Sequence, residues 1–166
     1  MTDLPISQTP AILDAIDADA AAISFGQPSD DLTGAFLRTL IASKPAGKFL
    51  ELGTGAGRAT AWMLEGMTYD AHLISVESDE ALIAIAQKHL GADPRLQLIH
   101  SLGEEVIVKL PHGQFDLIFA DTWPGKYNNL EETLALVKEG GFYNIDDMLP
   151  QPNWPEGHDK KAANLI

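Results

Sequence analysis

The chain has no cysteine, which excludes disulfides, thiolate metal sites and a thiol nucleophile, so a metal would have to bind through oxygen or imidazole. Basic residues are scarce: 11 lysines and arginines stand against 24 aspartates and glutamates, for a net charge of −13. No Lys/Arg cluster offsets that excess locally, so phosphate backbones are repelled and nucleic acid drops out as a partner. Small molecules become the expected substrates. No apolar stretch reaches the roughly 18 residues of a membrane span, and the opening "MTDLPISQTPAILDAIDADAAAI" carries acids where a signal peptide needs basic residues. These absences predict a cytoplasmic protein that does not engage membranes. Repeats and low-complexity tracts are missing too, and 166 residues suit a single domain.

What is present is an alternation of short apolar runs with helical stretches. The runs "KFLEL" (48–52), "HLISVE" (72–77), "LQLIHS" (96–101), "FDLIFAD" (115–121) and "GFYNID" (141–146) read as strands. Between them, "AGRATAWMLEGM", "DEALIAIAQKHL", "GEEVIVKL" and "NNLEETLALVKE" place apolar residues at helical spacing. Nearly continuous apolar strands joined by helices predict an α/β doubly wound fold, because parallel strands need a crossover long enough to hold a helix. Two further helices, near 10–22 and 31–43, are expected as an N-terminal cover over residues 1–45, the second capped by Ser29 or Asp30. The core is expected over 46–147. The tail over 148–166, with three prolines between 150 and 155, reads as a loop followed by a helix.

In open α/β sheets ligands bind beyond the carboxyl ends of the strands. The segment "FLELGTGAGRAT" (49–60) supplies Glu51, Gly53, Gly55 and Gly57 at the end of the first strand, glycines that allow a sharp turn and close approach of a ligand to backbone. A tight strand-to-helix turn without a ligand accounts equally well for the glycines alone. The dinucleotide pattern G-x-G-x-x-G fails, because Arg58 occupies its third glycine position. Glu51, two positions ahead of Gly53, would repel a diphosphate and welcome an ammonium group. Glu77 ends the second strand twenty positions after Gly57, where a carboxylate can accept hydrogen bonds from both ribose hydroxyls. Together these features describe a nucleoside carrying an amino acid and no phosphate: S-adenosylmethionine.

"FLELGTGAGRATAWML" and "LISVESDEALIAIAQKHL" resemble the class I S-adenosylmethionine-dependent methyltransferases, in particular the O-methyltransferases related to catechol O-methyltransferase, over about residues 30 to 150. The resemblance implies that Glu51, Gly53, Thr54, Gly55 and Gly57 hold the methionine portion and that Glu77 holds the ribose. Ser78, Gly103, Glu104 and Trp123 would lie around the adenine, and Asp121 would face the cofactor. It also implies an EC 2.1.1 methyltransferase acting on a small-molecule hydroxyl.

The fourth strand ends at Asp121 and the fifth at Asp146 and Asp147. Converging carboxylates there permit a hard-metal site, and turn caps or loop acids account for each of them equally well. In metal-dependent members of the family an Asp after the fourth strand and an Asp-Asp or Asp-Asn pair after the fifth bind a divalent ion, so the resemblance implies Mg²⁺ or another divalent cation on Asp121, Asp146 and Asp147. The chain departs from catechol O-methyltransferase at the catalytic lysine, which is replaced by Pro124; Lys126, two residues on, is the candidate base beside Asp121. His158 and Trp154 follow in the proline loop expected to overhang the site. Metal-independent methyl transfer, a non-catalytic S-adenosylmethionine-binding module and an NAD-dependent oxidoreductase are the alternatives. Members of the family continue with a final pair of strands that has no counterpart before "KKAANLI". A shortened chain is the first explanation for this, and a homodimer covering the open sheet edge is the second.

Overall fold

The computed structural model describes residues 8–148 and Ala162. Helices α1 (Leu13–Ala22) and α2 (Asp31–Ala42) precede β1 (Lys48–Leu52), α3 (Arg58–Gly66), β2 (His72–Glu77), α4 (Glu80–Leu90), β3 (Leu96–His100), α5 (Gly103–Ile107), β4 (Phe115–Ala120), α6 (Leu130–Leu134) and β5 (Val137–Ile145). The strands form one sheet in the order β3-β2-β1-β4-β5, with every pairing parallel. Among the described residues this is the doubly wound α/β class that the alternation predicts.

Alternation along each strand sends neighbouring side chains to opposite faces. Phe49, Leu73, Leu117 and Phe119 join α1, α2, α3 and α4 in one core, while Leu50, Leu52, Val76 and Ile118 join Val106, Ile107 and Leu136 in the other. Burial on both faces explains why the strands read as nearly unbroken apolar runs. On the first face, α2 and α3 pack at close range because Gly34 leaves room for the Trp62 ring, which is fully buried.

The later elements differ from the sequence expectation. The helix read over 128–139 is confined to Leu130–Leu134, and β5 begins at Val137. Leu130, Leu134 and Val137 do fall at helical spacing, but backbone amides of the segment entering β4 compete for the same carbonyls. Gly113 donates to the Ala135 carbonyl at 2.9 Å, and Gln114 and Phe115 donate to that of Leu136 at 2.9 and 3.1 Å. Val137 pairs with Phe115 and Phe142 with Leu117, so the extra residues between them bulge out of the ladder around Gly140. The helix read over 103–110 likewise ends at Ile107. Asp30, not Ser29, caps α2: its side chain accepts from the Thr33 amide at 2.8 Å.

The strand order reverses between β1 and β4, and the chain leaves those two strands in opposite directions along the sheet. The resulting crevice beyond their carboxyl ends is the favoured ligand position of such folds.

Candidate active site

A cavity of about 420 Å³ occupies that crevice. Its floor is the loop after β1, bound to both neighbouring strands: the Gly53 and Thr54 amides donate to the Val76 carbonyl of β2 at 2.9 and 3.1 Å, and the Asp121 amide donates to Leu52 at 2.8 Å. Gly53 has φ +97°, and a Cβ there would lie 2.7 Å from the Asp121 carbonyl oxygen. Only glycine permits both the left-handed turn and the contact. Gly57 has φ +100° and faces Leu90 and Ala86 of α4, where a Cβ would meet atoms at 2.9 and 3.2 Å. Its requirement is helix packing, and it does not line the cavity.

Glu77 lines the cavity at the β2 end. One carboxylate oxygen accepts from the Gly55 amide at 2.8 Å, and the other accepts from the Ser78 and Asp79 amides at 2.8 and 2.9 Å. Three backbone donors thus fix a carboxylate beside the loop, with lone pairs left for a ligand. Ser78 is exposed and contributes to this through its backbone, outside the cavity lining.

Glu51 occupies a different place from the one expected. Its side chain points into the α3 face of the sheet, fully buried and behind the cavity floor. Thr60 and Ser75 donate to one of its oxygens at 2.6 and 2.5 Å, and the other oxygen is buried without a partner. Ser75 is its register partner on β2, and the Thr54 hydroxyl reaches Ser75 at 2.5 Å, completing a chain from loop to carboxyl. Burial pushes the Glu51 pKa up to about 7, against the two hydroxyl donors and with a small push from Glu77. The residue therefore braces the loop from beneath.

At the opposite end Asp121, Trp123, Lys126, Tyr127 and Asp147 line the cavity. Burial, with Asp146 and Asp147 nearby, pushes the Asp121 pKa up to about 8, opposed by a 3.1 Å hydrogen bond from the Ser29 hydroxyl and by Lys126. Lys126 is 4% exposed, and its ammonium donates to the Asp147 carbonyl at 3.3 Å. Burial lowers its pKa, and the three aspartates pull it back up. The Trp123 and Tyr127 rings meet edge to face at 5.4 Å.

The roof is the connection between α1 and α2, with Phe25, Gln27, Pro28 and Ser29 facing the cavity. Sequence reasoning missed these residues, as well as Thr122 and Tyr127, because a connection without periodicity gives no sign of where it lies. Gly103 and Glu104 are also absent from the lining: Gly103 packs against Pro124, where a Cβ would lie 2.9 Å from a ring carbon. His158 and Trp154 lie outside the described residues.

The family model described as O-methyltransferase matches residues 22–165. The chain belongs to the O-methyltransferase family. Among curated relatives of this O-methyltransferase-family chain, a Mycolicibacterium vanbaalenii protein whose name places it with the O-methyltransferases is 31% identical over 132 residues, covering 76% of this chain and 56% of the relative. The chain spans about half the length of the curated relatives it matches. The Bacillus cereus O-methyltransferase solved with SAH superimposes with a TM-score of 0.81 at 19% identity, covering 98% of this chain and 80% of that one. The Streptomyces achromogenes O-methyltransferase TomG, solved with SAM and involved in tomaymycin synthesis, gives 0.82 at 17% identity, covering 98% and 78%.

The metal ion implied by the resemblance has no ready-made ligand set among the described residues of this family member. Among them, no three carboxylates or imidazoles come together in a way that could hold a metal. Asp121, Asp146 and Asp147 are close enough to act on one another's charge, but one Asp146 oxygen accepts from the Asp147 amide at 2.8 Å and Asp121 is tied to Ser29. The positive charge beside them comes from Lys126.

Proposed function

We propose that the chain transfers the methyl group of S-adenosylmethionine to a hydroxyl oxygen of a small-molecule acceptor. The observation that carries this reading is Glu77, a carboxylate held by three backbone amides at the mouth of a glycine-floored crevice. It suits a ribose diol and repels a phosphate. Gly53, Thr54 and Gly55 offer backbone to the methionine portion, and the Asp121 carboxyl faces the cationic end of the donor.

In the reaction, an acceptor oxygen attacks the methyl carbon in line with the carbon–sulfur bond. That bond breaks, its electron pair goes to sulfur and the sulfonium becomes a neutral thioether. The protein's contribution is alignment and exclusion of water. The acceptor's hydroxyl proton passes to Lys126, an amine in the cavity lining whose pKa burial lowers toward the neutral, proton-accepting form. Asp121, with its pKa near 8, holds a proton at neutral pH in the free protein and is the poorer base. No step passes through a metal ion.

Titration calorimetry with S-adenosylhomocysteine tests the donor site. Saturable binding is expected, weakened about 100-fold in Glu77→Ala by loss of hydrogen bonds to a charged group. Absence of binding by the unaltered chain sinks the reading. Product formation from a panel of phenols and catechols then separates an enzyme from a binding module. EDTA is expected to leave turnover unchanged, whereas loss with EDTA and recovery with Mg²⁺ would restore a metal to the three aspartates.

A further inference from the structure

We infer that Arg58 is a positioning residue for the methyl-donor site: it clamps the α1–α2 connection down as a roof over the glycine loop. This rests on the donor-site reading above. Arg58 is the first residue of α3, directly after the loop that forms the cavity floor. Its guanidinium reaches three separate parts of the N-terminal region. Nε donates to both Asp17 oxygens of α1 at 3.0 and 3.3 Å, Nη1 to the Ser29 carbonyl of the connection at 2.9 Å, and Nη2 lies 2.9 Å from Asp31 Oδ1 at the start of α2. A planar fork of donors can bond in three directions at once, whereas the single ammonium of lysine cannot hold the same geometry.

The segment held this way has no regular secondary structure between Phe25 and Asp30. At one end the Phe25 ring rests over Gly55, with Cζ 3.4 Å from where a Cβ would stand. At the other, the Ser29 hydroxyl donates to Asp121 at 3.1 Å. The connection therefore spans the crevice from the floor loop to the carboxyl after β4, and the guanidinium fixes the Ser29 end from the floor itself. Because Asp17 and Asp31 are each more than two-fifths exposed, these ion pairs add little to overall stability. Their effect falls on how long a ligand stays beneath the roof. The same geometry accounts for arginine at the third glycine position of a dinucleotide loop: its charge is already committed to two aspartates and gives no support to a diphosphate.

The test compares S-adenosylhomocysteine binding to the whole chain and to Arg58→Gln, Arg58→Lys, the pair Asp17→Asn with Asp31→Asn, and Asp19→Asn as control. Asp19 anchors α1 to Lys88 and His89 of α4 and touches neither roof nor floor. Arg58→Gln is expected to bind about 10-fold more weakly through faster dissociation, because the roof must be ordered at each binding event. Arg58→Lys fails to restore affinity, the Asp17/Asp31 pair reproduces the loss, and Asp19→Asn leaves it unchanged. Melting temperature changes by only about 3 °C in any of them. Equal affinity in the unaltered chain and Arg58→Gln overturns the inference alone, as does an equal loss in Asp19→Asn, which would reduce the effect to loosening of α1. Failure of the unaltered chain to bind overturns the donor-site reading and the inference with it. If Arg58→Gln does not fold, the aspartate pair takes its place, and undiminished affinity in that pair overturns the inference.

Discussion

Glu51 carries the clearest consequence at the scale of single residues. Its pKa is about 7 in the folded chain against an ordinary 4.5, so the folded state keeps a proton that the unfolded state releases. The folded state binds more protons across that window, and stability falls as pH rises from about 4.5 to 7. The loss is on the order of 3 kcal/mol. Asp121, with its pKa near 8, adds a loss of the same sign extending further up. Glu51→Gln keeps an acceptor for Thr60 and Ser75 without the charge, so denaturant titrations at pH 5 and pH 8 should show a smaller drop than in the unaltered chain. An unchanged drop would place the titration elsewhere. Lys126 is the other decisive residue: Lys126→Met is expected to lower kcat about 100-fold or more as a lost general base, with S-adenosylhomocysteine affinity nearly unchanged in calorimetry.

Among the helices, α2 and α3 pack most extensively on one another. An alanine at Gly34 would put its Cβ 2.3 Å from the Trp62 ring, and one at Gly66 would put it 2.5 Å from the Arg38 carbonyl. Trp62 is fully buried and stacked beneath the Arg38 guanidinium at 4.7 Å, so it has no direction in which to give way. Gly34→Ala should therefore destabilise the chain by about 1–3 kcal/mol through overpacking, measured by urea unfolding, although alanine is the better helix former in isolation. A neutral or stabilising result would mean that the two helices can separate without loss. The same pair of helices carries Asp31 and Arg58, so this packing also sets the span of the roof.

For the whole molecule, the net charge of −13 is expected to bias which acceptors reach the crevice if the proposed methyl transfer holds. Anionic acceptors meet a repulsive field that salt screens over about 10 Å at 0.1 M. Raising ionic strength should increase kcat/KM several-fold for a carboxylated phenol and leave it nearly flat for an uncharged catechol. Steady-state rates with the two acceptors at matched pH make the comparison; equal salt responses would show that the field does not reach the site. Among the described residues no helix is long and apolar enough to cross a membrane.

Local chemistry carried the parts of this protein that were legible in the sequence. Apolar runs covered on both faces, helical spacing between them and glycines after β1 identified the parallel α/β class, the crevice side of the sheet and Glu77, because periodicity and backbone conformation act over a few neighbouring residues. Where spacing was ambiguous, as at Val137, amides from residues 113–115 decided between helix and strand. The tertiary structure alone determined that Glu51 braces the loop from within the core, that Gly57 serves α4, and that Arg58 gathers residues 17, 29 and 31. It also decided that Asp121, Asp146 and Asp147 come close enough to act on one another's charge, with Lys126 beside them. Each of these depends on which way a side chain points and what distant segment meets it, and those are properties of the packed chain.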